Sequence, residues 1–554
     1  MSAPAFRFGG SGAAWRAGLL ALLTLAALAS RTAMPVDETR YLAVAWEMWQ
    51  RGDFLVPFRN GEAYSHKPPL LFWLIHAGWA VAGVGDVWPR LVSPLLALAT
   101  LGVTARIAAE LWPAAPWRAE RAAWILLGSV LFATFAGMLM FDMLLALCVA
   151  VGVLGLAVAP RAPARGFALL ALAIGGGVLA KGPVVLLHLL PAAVLAPWWL
   201  RDRPMRWRNW YAGVLLALLG GAALALAWAI PAGLRGGEDY RNAIFWGQTA
   251  NRMVDSFAHQ RPFWWYLPLL PVLAAPWLLW LPLWRGAKAA AVRTDRGCRL
   301  ALTLVLVTLA AFSFISGKQA HYLVPQFPAF ALLAAFVLDG QPRTGRPWLA
   351  IAGVVAIGIA VLVVPHAKLP PNLVALKAIA PVWSVPFFAL AAWLGWTPRT
   401  PDRQVPVMAA ASVLVLASAL LAFVRPLAPA YDVGPLARKL GELQAAGRPV
   451  GHDGVYHAQY QFAGRLDAPI EELATHGESE QWLAEHPDGV IVLYFRPPRD
   501  PAPFGPLLVQ PYRGRVAALF EGPNALAALA AATAEDEPDE SSRPARRPRP
   551  VVPR

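Results

Sequence analysis

The stretch LLALLTLAALASRTAMPVDETRY (Leu19 to Tyr41) joins an apolar run to a short polar segment, and the rest of the chain repeats this design. Many similar apolar runs follow, so the first one is interpreted as a retained membrane helix rather than a cleaved signal peptide. The polar part sets Asp37 beside Glu38, with Arg40 three residues after the first carboxylate. Paired carboxylates directly after a membrane segment therefore need a chemical explanation.

The composition is that of a polytopic membrane protein. The chain has 554 residues, of which 58% are hydrophobic and 15% charged, with 25 Trp and a mean hydropathy of +0.49. These values exclude an ordinary soluble globule. Cys148 lies in an apolar run and Cys298 in a basic loop, so no disulfide is expected between them.

The net charge of +15 does not indicate nucleic-acid binding, because its arginines and lysines occupy short breaks between apolar runs. Such breaks are typical of cytoplasmic loops. The basic residues in question are Arg118, Arg121, Arg161, Arg165, Arg201, Arg203, Arg206, Arg208, Arg285, Lys288, Arg293, Arg296, Arg299, Arg343, Arg346, Arg399 and Arg403.

With these loops placed in the cytoplasm, hydropathy predicts an all-α membrane domain of about thirteen transmembrane helices. The spans are 15–31, 88–111, 121–139, 143–159, 166–180, 183–200, 211–230, 263–284, 299–316, 322–338, 347–364, 379–396 and 405–423. An odd number with the N-terminus inside leaves the C-terminus outside.

The chain divides into a membrane domain (1–423), a small α/β domain (424–532) and a disordered tail (533–554). In the second domain, Leu436 to Gly447 reads as an amphipathic helix, and Gly489 to Phe495 and Arg515 to Gly522 read as strands. The first outer segment, 32–87, contains two apolar, Trp-rich stretches, LAVAWEMWQRG and PLLFWLIHAGWAVAG, predicted as helices at the membrane interface. GGG at 175–177 predicts close helix packing.

This topology gathers the chemically active side chains on the outer side. They are Asp37, Glu38, Arg40, Tyr64, His66, Lys67, Asp142, Lys181, Arg252, His259, Arg261, Lys318, His321 and Tyr322. A transporter usually has its ionisable groups near the bilayer midplane, so the one-sided set argues against a lipid or solute transporter. A non-catalytic membrane scaffold would not require these residues at all.

Three features of this set carry the chemistry. Asp142 lies in a nearly uncharged run, where a carboxylate needs a partner or a helix-end position. Lys67 precedes two prolines that stiffen the chain, and with the outer arginines it indicates an anion site. His66 and His259, near a carboxylate pair, permit a divalent metal such as Zn²⁺, Mg²⁺ or Mn²⁺.

The run PVDETRYLAVAWEMWQRGDFLVPFRNGEAYSHKPPLLFWL (Pro35 to Leu74) resembles the first outer loop of bacterial aminoarabinose-lipid A transferases. With protein mannosyltransferases, these form a superfamily of membrane glycosyltransferases that use lipid-linked sugars. LAKGP around Lys181, NRMVDSFAHQRPFWWYLPLLP (Asn251 to Pro271) and SGKQAHYLVPQFPAFALL (Ser316 to Leu333) are similar too. The resemblance is good over about residues 30–340.

The resemblance implies a GT-C fold and a sugar donor on a polyprenyl (undecaprenyl) phosphate, with no nucleotide cofactor. It implies acidic residues of the reaction centre at Asp37 and Asp142, with Glu38 beside the first. The implied donor-phosphate ligands are Lys67, Arg40 and Tyr322, with Arg261 as a helper, and the implied metal ligand is His259. Tyr64 and Lys318 are further candidates for the phosphate, and His66 is a further candidate for the metal. The family usually has Glu where this chain has His66, which removes a negative charge from the metal site.

We therefore expect an inner-membrane enzyme whose active site and C-terminal domain face the periplasm. Its expected acceptor is lipid A or another envelope glycan, and the alternative enzyme class transfers sugar to protein Ser/Thr. The polyprenyl phosphate leaving group needs fixed cations, and the acceptor needs orientation or deprotonation, which Asp37 supplies. The sugar, the acceptor, the metal and the oligomeric state stay open at this point.

Overall fold

The computed structural model describes residues 11–247, 261–286, 294–339, 341 and 344–532. The predicted disordered tail, 533–554, lies outside these residues. The described chain forms a bundle of apolar helices followed by a small domain built on a five-stranded sheet. This agrees with the predicted order of a membrane domain and an α/β domain.

Nine of the described helices are long and apolar enough to cross a membrane. They are Gly12–Ser30, Val87–Leu111, Phe141–Val158, Pro163–Lys181, Trp207–Arg235, Arg296–Phe314, Ala320–Val337, Trp348–His366 and the first part of Pro401–Ala445, in which Pro401–Ala419 is the continuous α-helix. Two bent pairs raise the number to eleven: Trp117–Gly128 with Val130–Ala136, bent by 69°, and Asn372–Ala378 with Pro381–Trp396, bent by 89°. Eleven of the thirteen predicted spans are accounted for in this way.

The other two predicted spans contain no helix of spanning length, so the expected thirteen regular helices are corrected at these places. Residues 183–200 form the short helices Val184–Val194 and Ala196–Trp199. Residues 263–284 form mostly turns, with the helices Leu270–Leu273 and Leu281–Gly286. Prolines recur in both stretches, and each proline removes a backbone donor and clashes with the preceding turn. Hydropathy detects the apolar character but not the breaks.

Glycines allow the central helices to approach closely. A Cβ on Gly155 would lie 2.6 Å from the carbonyl oxygen of Gly166, and one on Gly177 would lie 2.4 Å from the Val185 side chain. The predicted close packing at 175–177 is confirmed, because a Cβ on Gly175 would meet Leu224 at 2.7 Å. The Phe141–Val158 and Pro163–Lys181 helices are thereby held side by side, which sets the distance between residues at their ends.

The first outer segment forms the two predicted helices, Asp37–Arg51 and Leu70–Ala82, joined by a hairpin of Phe58–Arg59 and Glu62–Ala63. The Asp37–Arg51 helix is buried on all sides over residues 41–45 and ends where Gly52 adopts a positive φ of 63°. That left-handed conformation favours glycine and stops the helix.

The C-terminal domain has the strand order Glu471–Leu473, Val450–Asp453, Val490–Phe495, Arg515–Glu521, Leu508–Tyr512. The first three strands in this order are parallel and the rest antiparallel. The predicted helix is present at Gly434–Ala445, and both predicted strands are confirmed. Three further strands and the helices Gln461–Gly464, His476–Glu485 and Gly522–Leu529 were not predicted, because they are short or lack a clear period.

The C-terminal domain packs directly on the first outer segment. Trp79 stacks on Phe462 with ring centroids 5.5 Å apart. The Asn60 side chain donates to the Ile470 carbonyl at 2.8 Å and accepts from the Ile470 amide at 2.8 Å. Gln50 donates to Asp467 at 2.8 Å. Because the two parts touch, they lie on the same side of the bundle, as the alternation of basic loops predicts.

Candidate active site

The candidate site lies where five segments meet at one end of the bundle. Two come from the first outer segment, namely the start of the Asp37–Arg51 helix and the turn at 64–67. The others are the start of the Phe141–Val158 helix, the end of the Pro163–Lys181 helix and the 3₁₀ turn Ala320–Gln326. The sequence distance between these segments shows that only the tertiary fold brings them together.

Asp37 occupies the first position of its helix, where a negative charge is stabilised by the helix dipole. Its Oδ1 accepts a hydrogen bond from Arg40, one turn further on, and another from the Tyr41 hydroxyl at 3.3 Å. The Asp37 side chain keeps 47% of its accessible surface, whereas Arg40 keeps 20%. Asp37 is thus an oriented carboxylate that a bound molecule can reach.

The Tyr41 hydroxyl acts as a neutral donor to this carboxylate. Burial raises the pKa of Tyr41 well above its ordinary value, and the negative charge of Asp37 raises it further. The phenol consequently keeps its proton at any physiological pH. Its ring packs edge-on against Phe141 at 4.9 Å, which connects the Asp37 turn to the helix that carries Asp142.

Asp142 is the most enclosed carboxylate of the site, with 2% of its side chain exposed. Lys181 Nζ donates to its Oδ1 at 2.5 Å, and His321 Nε2 lies 4.0 Å from its Oδ2. Asp142 also stands in the first turn of its helix. The sequence analysis required either a partner or a helix-end position for this residue, and the structure provides both.

Lys67 and Asp37 belong to the same site as Asp142. Lys67 Nζ lies 5.7 Å from the Phe141 ring, next to Asp142, and is within electrostatic range of the Asp142 carboxylate. Both Lys67 and Asp37 act electrostatically on His321. The two outer-loop residues and the Asp142 cluster therefore share one space.

Tyr322 forms an aromatic wall of this space. Lys181 Nζ lies 4.9 Å from the Tyr322 ring centroid, and the His321 ring meets Tyr322 edge-on at 4.8 Å. Tyr64 is buried, and its ring is 5.2 Å from that of His66. Tyr64 also acts electrostatically on Arg40. These contacts place Tyr322 and Tyr64 at the site, as the sequence analysis expected.

Glu38 points away from this space. Its carboxylate is buried and pairs with both terminal nitrogens of Arg31. It also accepts the backbone amides of Met34 and Leu139, each at 2.7 Å. Arg31 in turn donates to the Gly137 carbonyl at 2.9 Å. The Arg31–Glu38 pair thus fastens the Asp37 turn to the segment that leads into Asp142. Glu38 therefore positions this turn and does not face the reaction centre, where the sequence analysis had placed it.

Lys318 and Arg261 lie next to each other but are placed differently from Lys67. The Lys318 ammonium is buried and donates to the backbone carbonyls of Arg261, at 2.9 Å, and Ile315. Burial lowers the pKa of this amine. The Arg261 side chain is exposed, and its backbone amide donates to the Ser316 carbonyl at 3.1 Å. Lys318 therefore links two chain segments. It does so through ammonium hydrogens that would otherwise be available to bind a phosphate.

The predicted metal site is only half described. His66 is exposed beside Tyr64, and His259 lies outside the described residues. Over those described ranges, no group of three or more His, Cys, Asp and Glu side chains is arranged to hold a metal ion. A stable zinc site needs three or four ligands, and of the two predicted ones only His66 belongs to the described residues. The metal stays a prediction.

Three residues of the site received no role from the sequence. The sequence analysis placed Lys181 and His321 on the outer side without naming a partner for either. In the structure both lie against Asp142, the carboxylate in a nearly uncharged run. Arg31 was not singled out, although a buried Glu seven residues further on requires a cation. In each case the signal was an unpaired charge in an apolar context.

No protein-family model matches the chain. It is 33% identical over 344 residues to the undecaprenyl phosphate-alpha-4-amino-4-deoxy-L-arabinose arabinosyl transferase of Pseudomonas aeruginosa, which covers 59% of each chain. The undecaprenyl phosphate-alpha-4-amino-4-deoxy-L-arabinose arabinosyl transferase 2 of Pseudomonas fluorescens is 31% identical over 339 residues, again 59% of each chain. The chain thus spans about three fifths of the length of the curated relatives it matches.

Solved structures extend the likeness to nearly the whole chain. ArnT from Cupriavidus metallidurans bound to undecaprenyl phosphate superposes with a TM-score of 0.72 at 20% identity, over 91% of this chain and 97% of that one. Its apo state gives 0.71 at 21% identity, over 93% and 98%. At this identity the likeness shows the fold alone. The resemblance drawn from the sequence is therefore confirmed over three fifths of the chain, and the GT-C fold of ArnT over nine tenths of it.

Proposed function

We propose that the protein is a membrane glycosyltransferase that moves a sugar from a polyprenyl phosphate to lipid A or a related envelope acceptor. The observation that carries the proposal is the charge of the site. Three cations, Arg40, Lys67 and Lys181, surround two carboxylates, Asp37 and Asp142, at one end of a membrane bundle. The excess positive charge suits a phosphate, which a sugar phospholipid brings and a neutral glycan does not.

Arg40 supports this proposal with an unsatisfied group. Its Nε is buried and has no hydrogen-bond partner within the described part of the chain. A buried donor of this kind normally finds an acceptor, and a phosphate oxygen would provide one. Arg40 is at the same time fixed by Asp37, so its guanidinium is oriented before any donor binds.

The proposed reaction breaks the bond between the anomeric carbon and the donor phosphate oxygen, and forms a bond from that carbon to an acceptor oxygen. The polyprenyl phosphate leaves with the electron pair, and Lys67 and Arg40 stabilise the charge that develops on it. Asp37 orients the acceptor and takes its proton where the acceptor is a hydroxyl. Asp142 accepts a hydrogen bond from Lys181 and so keeps the Lys181 ammonium directed at the site.

The names of the matching relatives favour aminoarabinose as the sugar and undecaprenyl phosphate as its carrier. They support the lipid A branch of the prediction rather than transfer to protein Ser/Thr or transport of a solute. The helices fit a multi-pass membrane protein. We further propose that this membrane is the bacterial inner membrane, with the site and the C-terminal domain in the periplasm, because the basic loops occupy the opposite end.

The test is transfer by the purified full chain in lipid nanodiscs, supplied with undecaprenyl-phosphate-linked 4-amino-4-deoxy-L-arabinose and lipid A. Mass spectrometry should show modified lipid A and free undecaprenyl phosphate in equal amounts. An Asp37→Asn variant serves as the inactive control. Binding of undecaprenyl phosphate without any transfer to lipid A would redirect the proposal to another acceptor, and the absence of both would refute it.

A further inference from the structure

A polar cavity lies at the opposite end of the bundle from the carboxylate cluster. It has a volume of about 290 Å³ and is lined by Leu111, Leu200, Asp202, Arg203, Thr294, Asp295, Arg296 and Arg299. The Val87–Leu111 helix connects the two ends. Near its start, Arg90 donates to the Arg31 carbonyl beside the candidate active site, and at 1.5 Å per residue its last residue is roughly 30 Å away.

Three arginines, Arg203, Arg296 and Arg299, line this cavity. Arg299 is fully buried; it donates to the Trp199 carbonyl at 3.2 Å and pairs with Asp202, whose side chain is 56% exposed. Arg296 donates to the Glu110 carbonyl at 3.2 Å. Arg203 is exposed and makes no ion pair with any described residue, although it lies within electrostatic range of Arg296. Three guanidinium groups from two chain segments therefore converge here.

The carboxylates near the cavity are fewer than its arginines, and most of them have other partners as well. Glu110 pairs with Arg161 at 2.6 Å. Asp295 caps its helix by accepting the Cys298 amide at 2.7 Å, and it also accepts from the Trp112 ring at 3.0 Å.

Asp202 is shared between two arginines, Arg299 and Arg201, the latter at 3.6 Å. Arg118 lies 3.9 Å from Asp295 but is bound by Asp339. Among the described residues named at this end of the bundle, five arginines (Arg161, Arg201, Arg203, Arg296 and Arg299) outnumber the three carboxylates of Glu110, Asp202 and Asp295.

We infer that this cavity binds the phosphate group of an anionic phospholipid from the leaflet at the basic end of the bundle. The guanidinium fork matches phosphate oxygens in geometry and charge. Basic pockets between transmembrane helices are typical sites for anionic headgroups. Leu111 and Leu200 add apolar side chains to the lining of the cavity beside the arginines. This inference does not depend on the proposed transfer reaction, because the site lies at the other end of the bundle.

The experiment titrates phosphatidylglycerol, with phosphatidylcholine as reference, against the full chain in detergent, and counts bound lipids by native mass spectrometry. Arg203→Ala and the double variant Arg203→Ala/Arg296→Ala are compared with Arg208→Ala, an exposed arginine that follows in sequence and does not line the cavity. We expect roughly fivefold weaker phosphatidylglycerol binding for each cavity arginine removed. Arg208→Ala should bind as the unaltered protein does.

A parallel titration with inorganic phosphate, read by thermal unfolding, distinguishes a lipid headgroup from a free anion. Suppose that inorganic phosphate stabilises the unaltered protein but not the double variant, while neither protein prefers phosphatidylglycerol to phosphatidylcholine. That result would overturn the lipid assignment. If Arg208→Ala lost as much phosphatidylglycerol binding as the cavity variants, the binding would depend on general surface charge. That result would also overturn the assignment of the cavity as a lipid site. Because Arg203 is exposed and unpaired in the described chain, its single variant should fold and keeps the test decisive.

Discussion

Two ion pairs at the start of the first outer segment have the same chemistry and opposite environments. Arg40–Asp37 is open, with 20% and 47% of the two side chains exposed, whereas Arg31–Glu38 is closed, with 6% and 2% exposed. Asp37 and Glu38 are consecutive, so a helical turn of about 100° per residue is enough to direct one carboxylate to the site and the other into the protein. Adjacent residues of one motif can therefore differ completely in what they do.

The open pair should control the chemistry. Asp37→Asn keeps the size of the side chain but removes the charge, so turnover should fall by about 10²–10⁴-fold if the carboxylate orients or deprotonates the acceptor. Thermal unfolding and binding of undecaprenyl phosphate should stay near those of the unaltered protein. The measurement is the nanodisc transfer assay, with Glu62→Gln as control, since Glu62 is an exposed carboxylate of the same outer segment. Normal turnover in folded Asp37→Asn protein would remove the role proposed for this residue.

The closed pair should control stability. Glu38→Gln leaves the buried Arg31 without a full counter-charge, and breaking a buried pair costs about 3–5 kcal/mol. Thermal unfolding in detergent should therefore shift clearly downward. Replacing both partners, as in Arg31→Met/Glu38→Leu, should recover part of the loss because no uncompensated charge remains. If Glu38→Gln left the unfolding midpoint unchanged and greatly reduced turnover, Glu38 would act in the chemistry and not in stability, contrary to the role assigned to it.

The same contrast applies to two lysines. Lys67 lies at the Asp142 cluster, whereas the Lys318 ammonium is engaged by the carbonyls of Arg261 and Ile315. Lys67→Ala should weaken binding of undecaprenyl phosphate about tenfold, since a charge-assisted contact is lost. Lys318→Ala should instead lower the unfolding midpoint and leave the affinity of the folded protein near normal. Equal affinity losses in the two variants, measured by titration with the bare lipid phosphate, would contradict this distinction.

The smallest expected effect concerns the contact between the first outer segment and the C-terminal domain. Gln50→Ala removes the hydrogen bond to Asp467 and one to the Leu466 carbonyl, which together contribute about 1–2 kcal/mol at this partly exposed site. Hydrogen exchange should rise in the 461–470 region of the C-terminal domain, while turnover changes less than twofold. Gln481→Ala, at an exposed position of the His476–Glu485 helix in the same domain, is the control. A turnover loss as large as that of Asp37→Asn would mean that the domain contact shapes the site directly.

The difference between the predicted and observed spans has a local cause. Regular apolar runs such as Phe141–Val158 were placed within two residues, because hydropathy reports how well a segment tolerates lipid. The stretch 263–284 is equally apolar but forms turns, since its prolines cannot continue a hydrogen-bonded helix. The C-terminal strands at 490–495 and 515–521 were recognisable from their apolar runs, whereas Glu471–Leu473 is too short to carry a pattern.

By itself, the sequence determined that this is a multi-pass membrane protein with a small α/β domain, and it placed the reactive side chains on one side. These properties follow from hydropathy and from the position of charges along the chain, which are local quantities. Only the tertiary structure decided that Asp37 faces the site while Glu38 is paired with Arg31. It also decided that Lys181 donates to Asp142 and that His321 lies beside the same carboxylate. It also showed Lys318 bound to backbone carbonyls. The role of a charged residue depends on which distant partner neutralises it and on how much water remains, and neither is written in the order of the residues.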